Sequence, residues 1–141
     1  MSYRLYPTPE PLSVLDEWNA PGVPFTHVVG DSVLGHFVVW SQPSNEFGVL
    51  HPLVNAFKNY GPFESVDAFR EAVLDDPDFA AYVLRPDHVA ELRELLGDIG
   101  DGQVYIPAPL PALGGSDAPE TYMVVDLAVF ASITAQAHGL D

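Results

Sequence analysis

The stretch from Phe25 to Leu53 constrains the fold most, because it alternates apolar runs with short segments of turn-forming residues. The runs around Val28, Val38 and Val49 are rich in Val, Phe and Trp, which suit the pleated surface of a sheet. Gly-Asp-Ser and Pro-Ser-Asn between these runs supply the turn chemistry that joins neighbouring strands. The stretch therefore predicts a three-stranded antiparallel meander at about residues 25–53.

Length and composition favour one α+β domain. A chain of 141 residues can bury about two thirds of the surface that its unfolded form exposes. The chain has no cysteine, which excludes disulfides and cysteine-based zinc sites. No apolar run reaches the roughly 18 residues of a membrane span, so we expect a soluble, cytoplasmic protein with no membrane partner. We divide the chain into an N-terminal arm and short helix at 1–24 and a single α+β domain at 25–141.

The formal net charge of −15, from 20 acidic residues against five Lys and Arg residues, is the strongest global signal. It disfavours a nucleic-acid partner, since that affinity rests on Lys and Arg neutralising phosphates. A surface of one sign instead speeds association with a protein of the opposite sign. The charge therefore serves either solubility alone or the recognition of a basic protein.

Two helices are predicted to carry much of this acidity. Ser65 is a good N-cap for the first helix, and Pro86 suits the first position of a second helix that runs to Leu96. Acidic residues three or four positions apart fall along one face of each helix. They form two acidic stripes: Glu64, Asp67, Glu71 and Asp75 on the first helix, and Asp87, Glu91 and Glu94 on the second. Neighbouring stripes would form one broad partner-binding surface, although the two faces can equally point apart.

The C-terminal third supplies the later elements of the predicted sheet. Strands are expected near 103–106 and 120–125. A last helix, apolar on nearly all sides, runs from an N-cap at Asp126 to Ala137. So apolar a helix is either central to the domain or buried in a homodimer interface. The complete prediction is an antiparallel sheet packed with three to four helices.

The remaining segments are expected to be less regular. Residues 1–10 are spaced by prolines and predict an extended arm similar to polyproline. A short helix should follow, with Trp18 as an anchor in the core. Residues 53–60 are expected to form one irregular turn, and the helix that ends at Leu96 should point that leucine inward.

A serine in the first turn of the meander raises an enzymatic alternative. The block Val28–Leu34 resembles the opening block of the GDSL hydrolases, in which the serine is the nucleophile. Ser32 would then need a histidine base, an orienting acid and oxyanion donors. That family carries Asp-x-x-His near its C-terminus, whereas the corresponding stretch of this chain is Ala135-Gln-Ala-His138. We therefore expect Ser32 to belong to a structural turn and expect no catalytic residues.

Histidines are the other candidates for chemistry. The spacing of the five lacks His-Glu-x-x-His or any comparable ligand pattern, so we expect no metal and no cofactor. His27 and His36 fall on strands that are expected to pair, and His88 shares a helix face with Glu91. The five histidines are His27, His36, His51, His88 and His138.

Three motifs follow one another in a fixed order along the chain. They are the glycine-led strand pair Gly30–Trp40, the stretch Leu95–Gly115 with its Val-Tyr and Ala-Leu-Gly-Gly sequences, and the closing helix Asp126–Gln136. Together they resemble the C-terminal domain of type VI secretion immunity proteins, which often follows a GAD-like domain. We expect the GAD-like region itself to be absent or reduced to residues 1–24. The SUKH superfamily, also rich in toxin-immunity proteins, is the nearest structural alternative.

This resemblance implies a non-enzymatic protein that neutralises a cognate secreted toxin by tight binding. A nuclease fits the charge, because a DNase presents a basic groove to phosphate that a chain of −15 would plug. The two acidic stripes are then the expected contacts with the basic active-site face of the toxin. The alternatives are a small hydrolase that uses Ser32 and a regulatory or structural homodimer joined through the last helix.

Overall fold

A five-stranded antiparallel sheet forms the centre of the structure, a computed structural model that describes residues 3–11, 18 and 25–139. Its strands lie side by side in chain order: β1 (Tyr3–Pro11), β2 (His27–Ser32), β3 (Phe37–Trp40), β4 (Glu46–His51) and β5 (Ala56–Pro62). Strands β2, β3 and β4 are the meander that the sequence predicts. The class is α+β, as expected.

Helices and a second sheet follow the large sheet. Helix α1 (Val66–Phe69) continues into a π-helical turn at Arg70–Leu74, and α2 (Pro77–Phe79) continues into another at Ala80–Leu84. The later elements are α3 (Pro86–Leu96), β6 (Gln103–Pro107), β7 (Tyr122–Asp126) and α4 (Leu127–Ala137). Single 3₁₀ turns lie at Pro52–Val54, Pro111–Leu113 and Pro119–Thr121.

Both faces of the large sheet are buried. Successive side chains of a strand point to opposite faces, so each strand contributes apolar residues to both. On one face, α4 and Trp18 pack against Phe25, Val28, Phe37, Val39 and Leu50. On the other face, α1, α2 and their π-helical turns pack against Val29, Val38, Phe47 and Val49. Burial on both sides explains why these strands read as continuous apolar runs. Trp18 is the expected anchor, and its indole nitrogen donates to the Ala131 carbonyl oxygen at 3.0 Å.

Two segments expected to be irregular are strands at the edges of the sheet. Tyr3–Pro11 is not a free arm: it pairs with β2, with Tyr3 opposite Ser32 and an irregularity between Leu5 and Glu10. The turn predicted at 53–60 is confined to Pro52–Val54. Asn55 then adopts a left-handed φ of 53° and turns the chain into β5. Edge strands are hard to predict because one side of each lacks a neighbour and carries polar residues.

Strands β6 and β7 pair with each other in a sheet of their own. A backbone hydrogen bond of 2.9 Å, from the Tyr105 amide to the Val33 carbonyl oxygen, joins this small sheet to the turn that follows β2. Leu96 does not point inward, because it ends α3 beside Gly97 and is 38% exposed. The short helix expected before Trp18 and the domain division at residue 24 lie outside the described residues, and both stay predictions.

Candidate functional site

The turn between β2 and β3 is where the three sequence motifs meet. Besides the bond from Tyr105 to Val33, the Tyr105 hydroxyl donates to the Gly97 carbonyl oxygen at 2.6 Å. Gly35 has a φ of +94°, and a Cβ there would lie 2.3 Å from the Phe130 ring. Tyr105 and Phe130 are fully buried. We call Val33, Gly35, Tyr105 and Phe130 the buried junction. Their contacts show that these motif residues are needed for packing.

Ser32 has a histidine neighbour that the sequence analysis did not foresee. Its Oγ accepts the amide hydrogens of Leu34 (3.2 Å) and His36 (3.0 Å), and lies 2.7 Å from the His36 Nδ1. Two accepted bonds use both oxygen lone pairs, so the hydroxyl hydrogen goes to Nδ1 and neutral His36 carries its proton on Nε2. This local hydrogen-bonding pattern is that of a serine-capped turn. Ser32 is only 2% exposed, which gives its hydroxyl little access to a substrate.

His36 in turn contacts His51, and their ring centroids are 4.8 Å apart. Burial, and then the neighbouring His51, lower the pKa of His36 to about 3. Burial also lowers the pKa of His51. Both imidazoles are therefore neutral at physiological pH and contribute no positive charge to this part of the surface.

The other histidines each have separate surroundings. His27 lies opposite Trp40 on the strand pair, with ring centroids 5.3 Å apart, while His36 precedes β3. His88 packs edge-on against Tyr122, and His138 contacts the Pro52 carbonyl oxygen at 2.9 Å through Nε2. Within residues 3–11, 18 and 25–139, no group of three or more His, Asp or Glu side chains is arranged to hold a metal ion.

All seven acids of the two stripes are exposed. On the first helix, three of them surround Arg70, whose guanidinium lies 3.3 Å from Asp67, 4.0 Å from Glu71 and 3.7 Å from Asp75. Burial, and then a 2.7 Å hydrogen bond to Asp75, raise the pKa of Tyr3 to about 12. The first stripe is therefore partly neutralised by Arg70.

The two striped helices belong to different packing clusters. Helix α1 packs against the large sheet through Phe69, whereas α3 packs through Val89 and Leu92 against Tyr105 and Tyr122. The structure thus anchors each stripe on its own helix with its apolar side inward, in agreement with the helical pattern. A single face shared by the two stripes stays a prediction.

A buried acid is the charged feature that the sequence analysis missed. Asp31 is 2% exposed and accepts hydrogen bonds from Arg4 (2.6 Å) and Tyr6 (2.5 Å). The Arg4 guanidinium also donates to the carbonyl oxygens of Gly100 (3.0 Å) and Gln103 (2.9 Å). This network ties β1 to β2 and to the loop before β6. The sequence signal that could have revealed this buried acid is the position of Asp31 inside the apolar run Val28–Leu34.

The fold and these sites define a small acidic α+β domain whose motif residues are buried and whose stripe acids face solvent. The family described as T6SS immunity protein Tdi1, C-terminal, matches residues 64–138. That match covers more than half of the chain, so this protein belongs to that family. The resemblance found in the sequence is confirmed, although the Gly30–Trp40 motif lies outside the matched range.

Comparison with solved structures gives the same fold. The crystal structure of Atu4351 from Agrobacterium tumefaciens is similar, with a TM-score of 0.64 and 19% sequence identity. The similarity covers 96% of this chain and 67% of that one. At this identity the likeness establishes the fold alone. A comparison with curated proteins finds no match.

Membership in this family identifies the chain as an immunity protein, a class that acts on a cognate toxin and implies binding instead of catalysis. In the part of the chain that the structure describes, no helix is both long and apolar enough to cross a membrane.

Proposed function

We propose that this protein binds a cognate secreted toxin in the cytoplasm and neutralises it without catalysis. The toxin is a nuclease whose basic active-site face meets the acidic stripes. The observation that carries the proposal is that all seven stripe acids are exposed on a chain that belongs to an immunity family. No stripe acid lies in the buried core of the fold, so the stripes are accessible to a partner.

Charge supplies the mechanism of recognition. A nuclease needs Lys and Arg around its active site to hold phosphate, and a protein of net charge −15 attracts such a face over several ångströms. Covering that groove prevents substrate from entering. The α3 stripe is the better candidate for the centre of the contact, because the α1 stripe already surrounds Arg70.

The test is binding to the toxin encoded by the neighbouring gene, purified as an inactive variant. Replacing Glu91 and Glu94 with Lys should slow association about tenfold at low salt and flatten the dependence of the rate on salt concentration. The matched control reverses Asp101 and Glu120, two exposed acids outside the stripes. Each double reversal adds four charges and changes −15 to −11. Equal effects of the two pairs would contradict a specific acidic face and leave only net charge.

The hydrolase reading is tested separately, because the contact between Ser32 and His36 is a specific observation. The geometry favours the structural turn, since the Oγ already accepts two amide hydrogens. The Ser32→Ala variant should therefore protect cells from the toxin as well as the unmodified chain does. Turnover of simple esters that disappears in this variant would restore the hydrolase reading.

A homodimer through α4 is the other reading, and Val129 on that helix is 49% exposed. Sedimentation of the chain without toxin distinguishes it from the proposal. A stable dimer that Val129→Asp converts to monomer would favour the regulatory or structural role.

A further inference from the structure

A small cleft between the 3₁₀ turn Pro52–Val54 and the π-helical turn Ala80–Leu84 has the composition of a binding hot spot. It encloses about 180 Å³, and its walls include Leu34, Pro52 and Val83. Two apolar side chains at its rim face solvent: Tyr82 is 82% exposed and Val54 is 65% exposed. Residues of this kind bury well against a partner, and Tyr and Arg are enriched among the side chains that dominate binding energy. We call this feature the Tyr82 cleft.

The backbone around the cleft is unusual in two ways. Tyr82 lies within the π-helical turn Ala80–Leu84, a rare form that is frequently found at functional sites. The following Arg85 adopts a left-handed conformation with φ of 49°, which is costly for a residue with a side chain. This conformation ends the turn and starts α3, and it places Arg85 at the wall of the cleft, where Asp117 pairs with it at 3.2 Å.

The cleft also differs in charge from the surface around it. Among the described residues that line it, none is a carboxylate, although the chain has 20 acids. His36 and His51 contribute neutral rings, and the charge of Arg85 is balanced by Asp117. An uncharged side chain can therefore enter without leaving a buried charge unpaired.

We propose that the Tyr82 cleft receives one apolar side chain of the cognate toxin, which anchors a complex that the acidic stripes attract. This inference rests on the proposed function and adds a second, uncharged contact to it. A volume of about 180 Å³ suits a single large apolar side chain, and Tyr82 and Val54 would cover it from the rim.

Charge decides between a toxin and a second copy of this chain as the occupant. Two copies would each bring a net charge of −15 to the contact and repel one another. A toxin with a basic face is attracted by the same charge. The stripes then govern how fast the complex forms, and the cleft governs how slowly it dissociates.

The experiment measures association and dissociation rates of the inactive toxin with single variants. Tyr82→Ala should weaken binding about thirtyfold, as expected of a hot-spot residue, and Val54→Ala, which removes less apolar surface, about fivefold, both mostly through faster dissociation. This loss should be the same at low and high salt, because the lost contact is apolar. Tyr82→Phe keeps the ring and should bind as the unmodified chain does.

Leu113→Ala is the matched control, because Leu113 is 64% exposed and lines a different groove. It should leave both rates unchanged. If Tyr82→Ala behaves like this control while the unmodified chain binds the toxin, the cleft inference is overturned and the proposed function stands. If the unmodified chain does not bind the toxin at all, both fail. A dimer that Tyr82→Ala dissolves would overturn the inference in favour of a second copy.

Discussion

The buried junction and the acidic stripes place their characteristic residues in opposite environments. At the junction, Tyr105 and Phe130 are fully buried and Gly35 is there because nothing larger fits. On the stripes every characteristic residue is exposed. The motifs that carry the family resemblance belong to the first region, and the proposed contacts belong to the second. These motifs therefore reflect packing, and packing by itself does not specify the partner.

Two aspartates, one buried and one exposed, show the same contrast. Asp31 accepts two short hydrogen bonds inside the protein, from Arg4 and Tyr6, whereas Asp87 lies exposed in the first turn of α3. Burying a charge is favourable only when it is paired, and removing one partner leaves the other without compensation. Removing Asp31 should therefore lower stability more than removing Asp87 does. Removing Asp87 should weaken toxin binding more than removing Asp31 does.

The largest expected effect follows from this contrast. Asp31→Ala should lower the free energy of unfolding by about 3 kcal/mol, because it leaves the partly buried Arg4 guanidinium and the Tyr6 hydroxyl without their carboxylate. Asp87→Ala should change it by no more than about 0.5 kcal/mol, as surface substitutions usually do. Urea unfolding at pH 7 measures both. Similar values for the two variants would break the distinction between the regions.

Gly35 is the position at which the buried junction leaves the least room for a side chain, and a substitution there tests the junction. Gly35→Ala should cost about 2–4 kcal/mol, since it combines a left-handed backbone with a methyl group inside the Phe130 ring. Gly61→Ala is the matched control: Gly61 has a φ of +90° but no heavy atom within 4 Å of the added Cβ. It should show the backbone cost alone, about 1–2 kcal/mol.

Equal losses at the two glycines would mean that the Phe130 ring moves aside and the junction is not tightly packed. A larger loss at Gly35 that Phe130→Leu partly reverses would locate the cost in that contact. Thermal unfolding of the double variant provides this measurement.

Sequence patterns predicted the elements whose chemistry is local. Ser65 caps its helix through a 3.1 Å bond from the Ala68 amide, as its position suggested. Pro86 begins α3, and Gly97 with positive φ follows its end. The central strands were predicted because three dense apolar runs stood between turn residues. The exposure of the stripe acids followed from helical periodicity.

The features that sequence reasoning missed depend on contacts between distant segments. Strand β1 was not predicted because its pairing is stabilised by Arg4, whose partner Asp31 lies far along the chain. The cleft joins Val54 and Tyr82, which no periodic pattern relates. The contact of Ser32 with His36 spans only four residues, and the GDSL resemblance does not predict it because that family carries its histidine near the C-terminus.

His36 lies between the buried junction and the Tyr82 cleft, since it follows Gly35 of the junction and lines the cleft. Its folded pKa of about 3 is below the value of about 6.5 expected for the unfolded chain. Between these values the unfolded state binds more protons, so the stabilisation is present above pH 6.5 and is lost as the pH falls toward 3. Lowering the pH from 6.5 to 5 should cost roughly 1.5 kcal/mol through His36.

The measurement is the free energy of unfolding of the unmodified chain and of His36→Gln at several pH values from 7 to 5. Most carboxylates stay ionised in this window, so the difference between the two slopes isolates the imidazole. The variant should lose less stability on acidification, by about the same 1.5 kcal/mol. Parallel slopes would mean that His36 takes up a proton in the folded state, and the wall of the cleft would then become positively charged in mild acid.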